Sequence, residues 1–450
     1  MNRYVTLPLL LFLVVGGVVY QCNSRNGHAP LASVAATTAL EEAAAHPERP
    51  TLAEPLIAAL RSELDIHRRL ILLFADEAQL KGPVREAALR QGHQLHHEDR
   101  AMVFQLDNAL ATLAVQPAKQ RDPVITALLN WLEADPEVLE LDRLAFRDPL
   151  RILQRSLARD AGAEAGVLKM RIAKDLAEVD RVEVLVDAEY RQVFGGPGQA
   201  AKGGQRKRWD DYVKSLKALL PAGEPLPAAV KLEGEGEISG RELPEKVLIL
   251  SFDDGPHRIY TQEILAILQH YRVPALFFEV GRNLGSVDAA GTVKLGPLAV
   301  LTEDLVKAGY RVGNHSYTHA QLSKETGKPL DIEIGETDQL LKGIPGAHSQ
   351  LFRFPYGART QVQLQALRPY HLRSVLWNID SLDWADPVPS SVSDRVLRTI
   401  AEEKRGILLF HDIHDRAGKV LPALLERLQA EGYRFAGLSA DGELLLPAKP

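Results

Sequence analysis

The stretch Leu248-Ile249-Leu250-Ser251-Phe252-Asp253-Asp254-Gly255-Pro256 sets the reading of this chain. An apolar run ends abruptly in two adjacent carboxylates and a Gly-Pro turn. This is the pattern of a buried strand that delivers acids to a sheet edge or barrel mouth. Two neighbouring carboxylates away from water cost several kcal/mol unless a cation or a donor compensates. Downstream stands His315-Ser316-Tyr317-Thr318-His319, with two imidazoles four residues apart. One Asp and two His make a first coordination sphere for a catalytic divalent metal with open positions. The residues point to a metal-dependent hydrolase.

Around this stretch, short apolar runs alternate with amphipathic ones. The runs are Val247–Ser251, Ala275–Val280, Tyr310–Gly313, Leu351–Phe354, Ser374–Asn378, Ile407–His411 and Tyr433–Leu438; Thr261–Tyr271, Leu301–Ala308 and Leu421–Ala430 read as helices between them. Such βα repetition predicts a largely parallel sheet, open or closed as a barrel. In a barrel the chemistry sits at the C-terminal ends of strands. Asp253, Asp254, His315, Arg353, Asp380 and His411 each follow or end an apolar run.

Five patches thus stand in order: Ser251–Pro256, His315–His319, Arg353-Phe354-Pro355-Tyr356, Asp380-Ser381-Leu382-Asp383-Trp384 and Leu409-Phe410-His411. Here the sequence resembles the NodB-type polysaccharide deacetylases, carbohydrate esterase family 4. The five family motifs occur in family order, with Ser251 where Thr is usual. The resemblance implies an α/β chain whose residues 246–440 form a distorted (β/α) barrel of NodB type. It implies Asp254, His315 and His319 as ligands of one divalent ion, zinc ahead of cobalt or another divalent metal. Asp253 is then the general base, kept ionised by the metal and Arg353, and His411 the general acid, oriented by Asp383. Tyr356 offers a backbone N–H to the oxyanion, and Trp384 and Leu409 wall a pocket for the acetyl methyl. Asp380 matches the first acid of the fourth motif and receives no role. The activity implied is removal of N-acetyl groups from N-acetylglucosamine units of a polysaccharide, with peptidoglycan and an exopolysaccharide as leading substrates. On the same fold the alternatives are an O-acetyl esterase, an amide hydrolase acting on non-carbohydrates, or an envelope scaffold with an idle barrel.

The rest of the chain carries none of these motifs. Residues 51–220 read as an N-terminal all-α region of unknown role, with Leu56, Leu60, Leu64 and His67 at helical spacing. Asp122-Pro123 and Asp148-Pro149 have the form of helix starts. His93 and His97 repeat the His-x-x-x-His spacing, but in a helical stretch without motifs they read as a solvated face. Linkers are expected at 26–50 and 221–245, and the Gly-rich 195–204 reads as a flexible break. His257 and His414 adjoin the motifs and receive no role.

No charge occurs between Arg3 and Arg25. As a helix, Tyr4 to Ser24 would span roughly 30 Å, about one hydrocarbon core. Residues 1–25 are therefore read as a signal anchor or signal peptide, holding the protein to the membrane and placing its body outside the cytoplasm. Cleavage near Ser33-Val34-Ala35 and lipidation at Cys22 are the rival readings. Cys22 is the only cysteine, so no internal disulfide forms and a metal must be held by His, Asp or Glu. A net charge of −6 argues against a general nucleic-acid binder.

Overall fold

The computed structural model describes residues 53–75, 80–195, 202–220 and 237–446, and the backbone of 13–15 and 18–20. The expected linker at 26–50, most of the Gly-rich break and most of the second linker lie outside these residues, as does most of the expected N-terminal anchor. Where that anchor is described, the backbone is extended rather than helical: Leu13–Val15 pairs antiparallel with Val18–Tyr20. Among the described residues no helix is long and apolar enough to cross a membrane.

The first half is helical, as the periodicity predicts. It comprises α1 (Ala53–Phe74), α2 (Gly82–Ala114), α3 (Ala118–Ala134), α4 (Arg147–Leu157), α5 (Ala163–Phe194) and α6 (Lys207–Leu219). Asp148-Pro149 does stand in the first turn of α4. Asp122-Pro123 does not start a helix: α3 begins at Ala118 and carries Pro123 within its first two turns. The Asp122 carboxylate is taken instead by Arg121, at 2.8 Å.

The second half is built on β1 (Val247–Asp253), β2 (Ala275–Glu279), β3 (Arg311–Asn314), β4 (Leu351–Phe352), β5 (Arg373–Ser374), β6 (Ile379–Asp380), β7 (Gly406–His411) and β8 (Arg434–Phe435). These eight strands form one sheet in the order β6-β7-β1-β2-β3-β4-β5, with β8 pairing the start of β1. Every pairing in it is parallel. The sheet curls without main-chain closure from β5 to β6, so the expected distorted barrel is an incomplete one. Helices α7 (Tyr260–Tyr271), α8 (Ala299–Lys307), α9 (Lys328–Lys342), α10 (Gln361–Ala366), α11 (Pro389–Glu403) and α12 (Arg416–Ala430) connect the strands.

Strand periodicity sorts β1 into two faces. Leu248, Leu250 and Phe252 join Leu408, Phe410 and the covering helices in one apolar core. Val247 and Ile249 join Leu276, Phe278, Val375 and Ile407 in a second, inside the curl. Ser251 and Asp253 continue that inner face upward, so the alternation which builds the barrel interior also aims Asp253 into its mouth. The sheet unit begins earlier than the motifs indicate. Ile238 bridges Val375, and Glu237 pairs with Arg359 at 2.7 Å, so residues 237–245, expected as linker, are part of it.

The two halves share a core. Ile259, Tyr260 and Val388 of the sheet unit are buried among Leu60, Leu110, Leu129, Leu153 and Ile172 of the helices. Each such side chain contributes about 1.5–3 kcal/mol when fully buried. This packing holds α2 across the mouth of the barrel.

Candidate active site

Asp253 and His411 end adjacent parallel strands and face each other in register, with Phe278 next along the same row. Arg353, which follows β4, lies fully buried beneath them. Its Nη1 donates to Asp253 Oδ1 at 2.6 Å and to Ser251 Oγ at 2.8 Å, its Nε to the Val375 carbonyl at 3.0 Å, and its Nη2 to the Leu376 carbonyl at 3.2 Å. The guanidinium stacks over Phe278 at 4.1 Å. Serine thus suffices at position 251, because the hydroxyl is what Arg353 uses. Burial pulls the Arg353 pKa down, and the Asp253 charge opposes that.

Asp254 turns the other way from the strand, in left-handed backbone (φ 78°), as do His319 (φ 64°) and Tyr356 (φ 61°). Such conformations cost non-Gly residues about 1–3 kcal/mol each and persist where the surroundings enforce them. Asn283 supplies part of that enforcement, its Nδ2 donating to the carbonyls of Asp254 at 2.9 Å and Gly255 at 3.1 Å. Glu333 on α9 enforces the second loop, accepting from the backbone N–H groups of Tyr317 at 3.0 Å and Thr318 at 2.9 Å.

The Nε2 atoms of His315 and His319 converge on Asp254 Oδ1, at 3.3 and 3.0 Å. Oδ1 is fully buried and has no hydrogen-bond partner. An orphaned carboxylate oxygen facing two imidazole nitrogens fits the donor set a divalent ion requires, and the three atoms lie within 4.8 Å of one another. The far side of each ring is also committed. His315 Nδ1 bonds the Arg353 carbonyl at 2.8 Å, and His319 Nδ1 bonds the Tyr356 hydroxyl at 2.8 Å. In the tautomer that leaves Nε2 free, both Nδ1–H groups donate, which is how metal-ligating histidines are oriented. Burial pushes Asp254 up, but His319, His315 and His96 outweigh it and hold the carboxyl well below the usual range.

His411 Nδ1 donates to Asp383 Oδ1 at 2.8 Å, and its backbone N–H donates to Asp383 Oδ2 at 2.9 Å. Ser381 Oγ adds a third donor at 2.9 Å. Burial lowers the imidazole pKa, but Asp383 overrides it and raises His411 to about 9. The same pair holds Asp383 down near 2 against its own burial. Asp380 serves the fourth-motif turn, accepting from Leu382 N–H at 2.9 Å and Trp377 Nε1 at 3.2 Å. Leu409 is buried on β7 beside Asp380 and Ser251. Trp384 is buried as well, with Phe74 edge-on at 5.4 Å. His257 caps α7, its Nδ1 accepting from Ile259 and Tyr260 N–H at 3.2 and 3.3 Å.

The expectation that His93 and His97 form a solvated face is wrong. Both rings lie against Tyr356, at 5.6 and 5.9 Å, and His97 Nδ1 bonds its hydroxyl at 3.1 Å. His96, which carried no reading, is buried, with Nε2 3.2 Å from Asp254 Oδ2. Arg100 Nε reaches the same oxygen at 3.4 Å. A signal was present: Gly92 interrupts a helical stretch just before three histidines in five residues. A helix-interior Gly costs about 1 kcal/mol relative to Ala and marks close packing when retained.

Comparison with known proteins follows the same division. Residues 240–375 match the polysaccharide deacetylase family. A peptidoglycan-N-acetylglucosamine deacetylase of Bacillus cereus is 34% identical over 209 residues, 44% of this chain and 70% of that protein. PgdA of Listeria monocytogenes, named likewise, is 29% identical over 245 residues, 50% of this chain and 49% of that protein. The chain spans half or less of the length of several curated relatives, PgdA among them. Among solved structures, the Bdellovibrio bacteriovorus peptidoglycan deacetylase Bd3279 is similar over 83% of this chain and 95% of its own, at 24% identity and a TM-score of 0.49. The ordered motifs, the family match and the Bacillus cereus relative agree, and the chain belongs to the polysaccharide deacetylase family.

Proposed function

We propose that this protein is a metal-dependent N-deacetylase acting on N-acetylglucosamine units of an extracytoplasmic polysaccharide, with peptidoglycan the first candidate. The observation that carries the reading is one arrangement: an orphaned Asp254 oxygen between two imidazoles, flanked by a carboxylate held by Arg353 and an imidazolium held by Asp383. Relatives named for peptidoglycan deacetylation support the substrate class. The charge-free stretch from Tyr4 to Ser24 is the ground for placing the substrate outside the cytoplasm.

A divalent ion, zinc first, held by Asp254, His315 and His319 would acidify water and polarise the acetyl carbonyl. Asp253 takes the proton from the water whose oxygen adds to the acetyl carbon. Arg353 fixes Oδ1 of that carboxylate, leaving Oδ2 for the proton. The C–N bond then breaks and His411 gives its proton to the departing amine. Asp383 holds His411 in the tautomer that presents Nε2 to the substrate, and favours the charged form beforehand. The backbone N–H at Tyr356 stabilises the oxyanion, and Trp384 and Leu409 bound the methyl pocket. Acetate leaves, the free amine stays on the sugar, and its protonation gives the glycan positive charge.

The test is acetate release from N-acetylglucosamine oligomers and from peptidoglycan by the zinc-loaded chain, beside Asp253→Asn. Release that zinc supports and the variant lacks is the expected result. Release from O-acetyl xylan but from no N-acetyl glycan would move the substrate to esters.

A further inference from the structure

Every reacting group of the site is covered. Asp253, Asp254, His315, His319 and His411 are at most 5% exposed, and Trp384 is 6% exposed. The cover is α2, and at its centre is His96. The His96 ring is tilted on Trp384 at 5.3 Å and edge-on to His411 at 5.8 Å and His319 at 6.1 Å. Ligand atoms of His96, Asp254 and His411 all lie within 4.8 Å of one another. The susceptible C–N bond must lie between the Asp254 side of the site and His411, with its methyl towards Trp384. That space contains an imidazole.

We infer that His96 stands in for the substrate's acetamido group, so this conformation is self-blocked and a glycan enters only after the first half of α2 withdraws. The inference rests on the deacetylase reading. An imidazole is a flat ring little larger than an acetamide, and its N–H donates to Asp254 Oδ2 much as a polar substrate group would engage the site. The oxygen it uses is not the one on which His315 and His319 converge, so the block is compatible with the proposed donor set. Neighbours fasten the plug. His97 bonds Tyr356, Arg100 reaches Asp254, and Arg282 donates to the Arg100 carbonyl at 3.1 Å while stacking over Phe104 at 4.5 Å. These fastenings all come from one helix and all end on residues of the site or its rim. Further along α2, Leu106, Leu110 and Leu113 are anchored in the helical core, while Ala88 and Met102, on either side of His96, pack with Phe74 of α1 and with Trp384, so withdrawal has to open only that smaller cluster.

A plug is sensitive to volume, whereas a positioning hydrogen bond is sensitive to polarity. Acetohydroxamate, a small metal-binding amide analogue, probes the site by calorimetry on the zinc-loaded full chain, and acetate release from N-acetylglucosamine oligomers is measured in parallel. If the open form is about a tenth of the population, His96→Ala binds the probe about tenfold more tightly than the unaltered chain. It deacetylates faster by a similar factor. His96→Phe keeps the ring, loses the donor, and stays as blocked as the unaltered chain. Two results would overturn the proposal: equal probe affinity in all three proteins, or weaker binding in His96→Ala that His96→Asn restores, which would make His96 a positioning residue for Asp254. Tighter probe binding in His96→Ala with acetate released by neither protein would support the plug while refuting the deacetylase reading. Circular dichroism of each variant guards against misfolding; if the Ala variant fails to fold, parent-like probe binding by His96→Phe supports the plug and weaker binding overturns it.

Discussion

The Arg353 guanidinium lies 2.6 Å from the Asp253 carboxylate, and both are shut away from water. A buried pair like this adds little net stability over apolar residues of the same shape, but breaking it leaves a charge without a partner. Arg353→Met should therefore cost about 3–5 kcal/mol in thermal or denaturant unfolding. Arg353→Lys should rescue only part of that loss, because an ammonium cannot also reach Ser251, Val375 and Leu376 as the planar fork does. If Arg353→Met unfolds like the parent protein, the contact with Asp253 does not hold this part of the site together and the base assignment loses its support.

The orphaned Asp254 oxygen predicts that zinc binds the folded chain and stabilises it. At a free zinc concentration of about 100 times Kd, the gain is about 2.7 kcal/mol, read as an upward shift in Tm. Asp254→Asn and His315→Ala should abolish the shift. Tyr356→Phe removes the partner of His319 Nδ1 and should weaken zinc binding by about 10-fold or more in a chelator competition.

The His411–Asp383 pair predicts a specific pH signature in the metal-free protein. His411 has its pKa raised to about 9, so its contribution to stability is complete below the unfolded value near 6.5 and is lost as pH rises through about 9. Asp383 is depressed to about 2, so its contribution is complete above about 3.9 and is lost as pH falls through about 2. Histidine NMR should find one imidazole titrating well above the rest. In Asp383→Asn that resonance should fall well below its parent position, because burial is then opposed only by the Asp254 and Asp253 charges. An unchanged titration would remove Asp383 from this role.

The sheet unit was legible because its signals are local. Apolar runs of strand length end in charged residues, and each strand end carries one patch, so order along the chain maps onto order around the curl. The strand ends were less legible. Leu351 to Phe354 reads as one run, but pairing stops at Phe352, because Arg353 turns inward to Asp253 and the chain then enters a turn. Glu333 and Asn283 left no trace in sequence, since their task is to hold loops far away in the chain. The α2 histidines failed for a different reason. His-x-x-x-His on a helix has the same spacing whether it faces water or another unit, and only tertiary packing decides between them. Gly92 was the local clue.

That clue yields a last prediction, which tests the close approach of α2 directly. A Cβ built on Gly92 would stand 2.7 Å from the Phe74 ring and 2.8 Å from the Trp384 ring. A Cβ on Gly166, in the exposed first turns of α5, would meet nothing within 4 Å. Replacing a helical Gly by Ala gains about 1 kcal/mol where there is room, so Gly166→Ala should raise stability by about that amount. At Gly92 the same gain is opposed by overpacking worth about 1–3 kcal/mol, which gives Gly92→Ala a net loss and Gly92→Leu a larger one. The two Ala variants differ by the same atoms and should move in opposite directions in thermal unfolding of the full chain. If both were stabilised, the rings of Phe74 and Trp384 would have to yield freely, and α2 would not be seated on the barrel mouth as described.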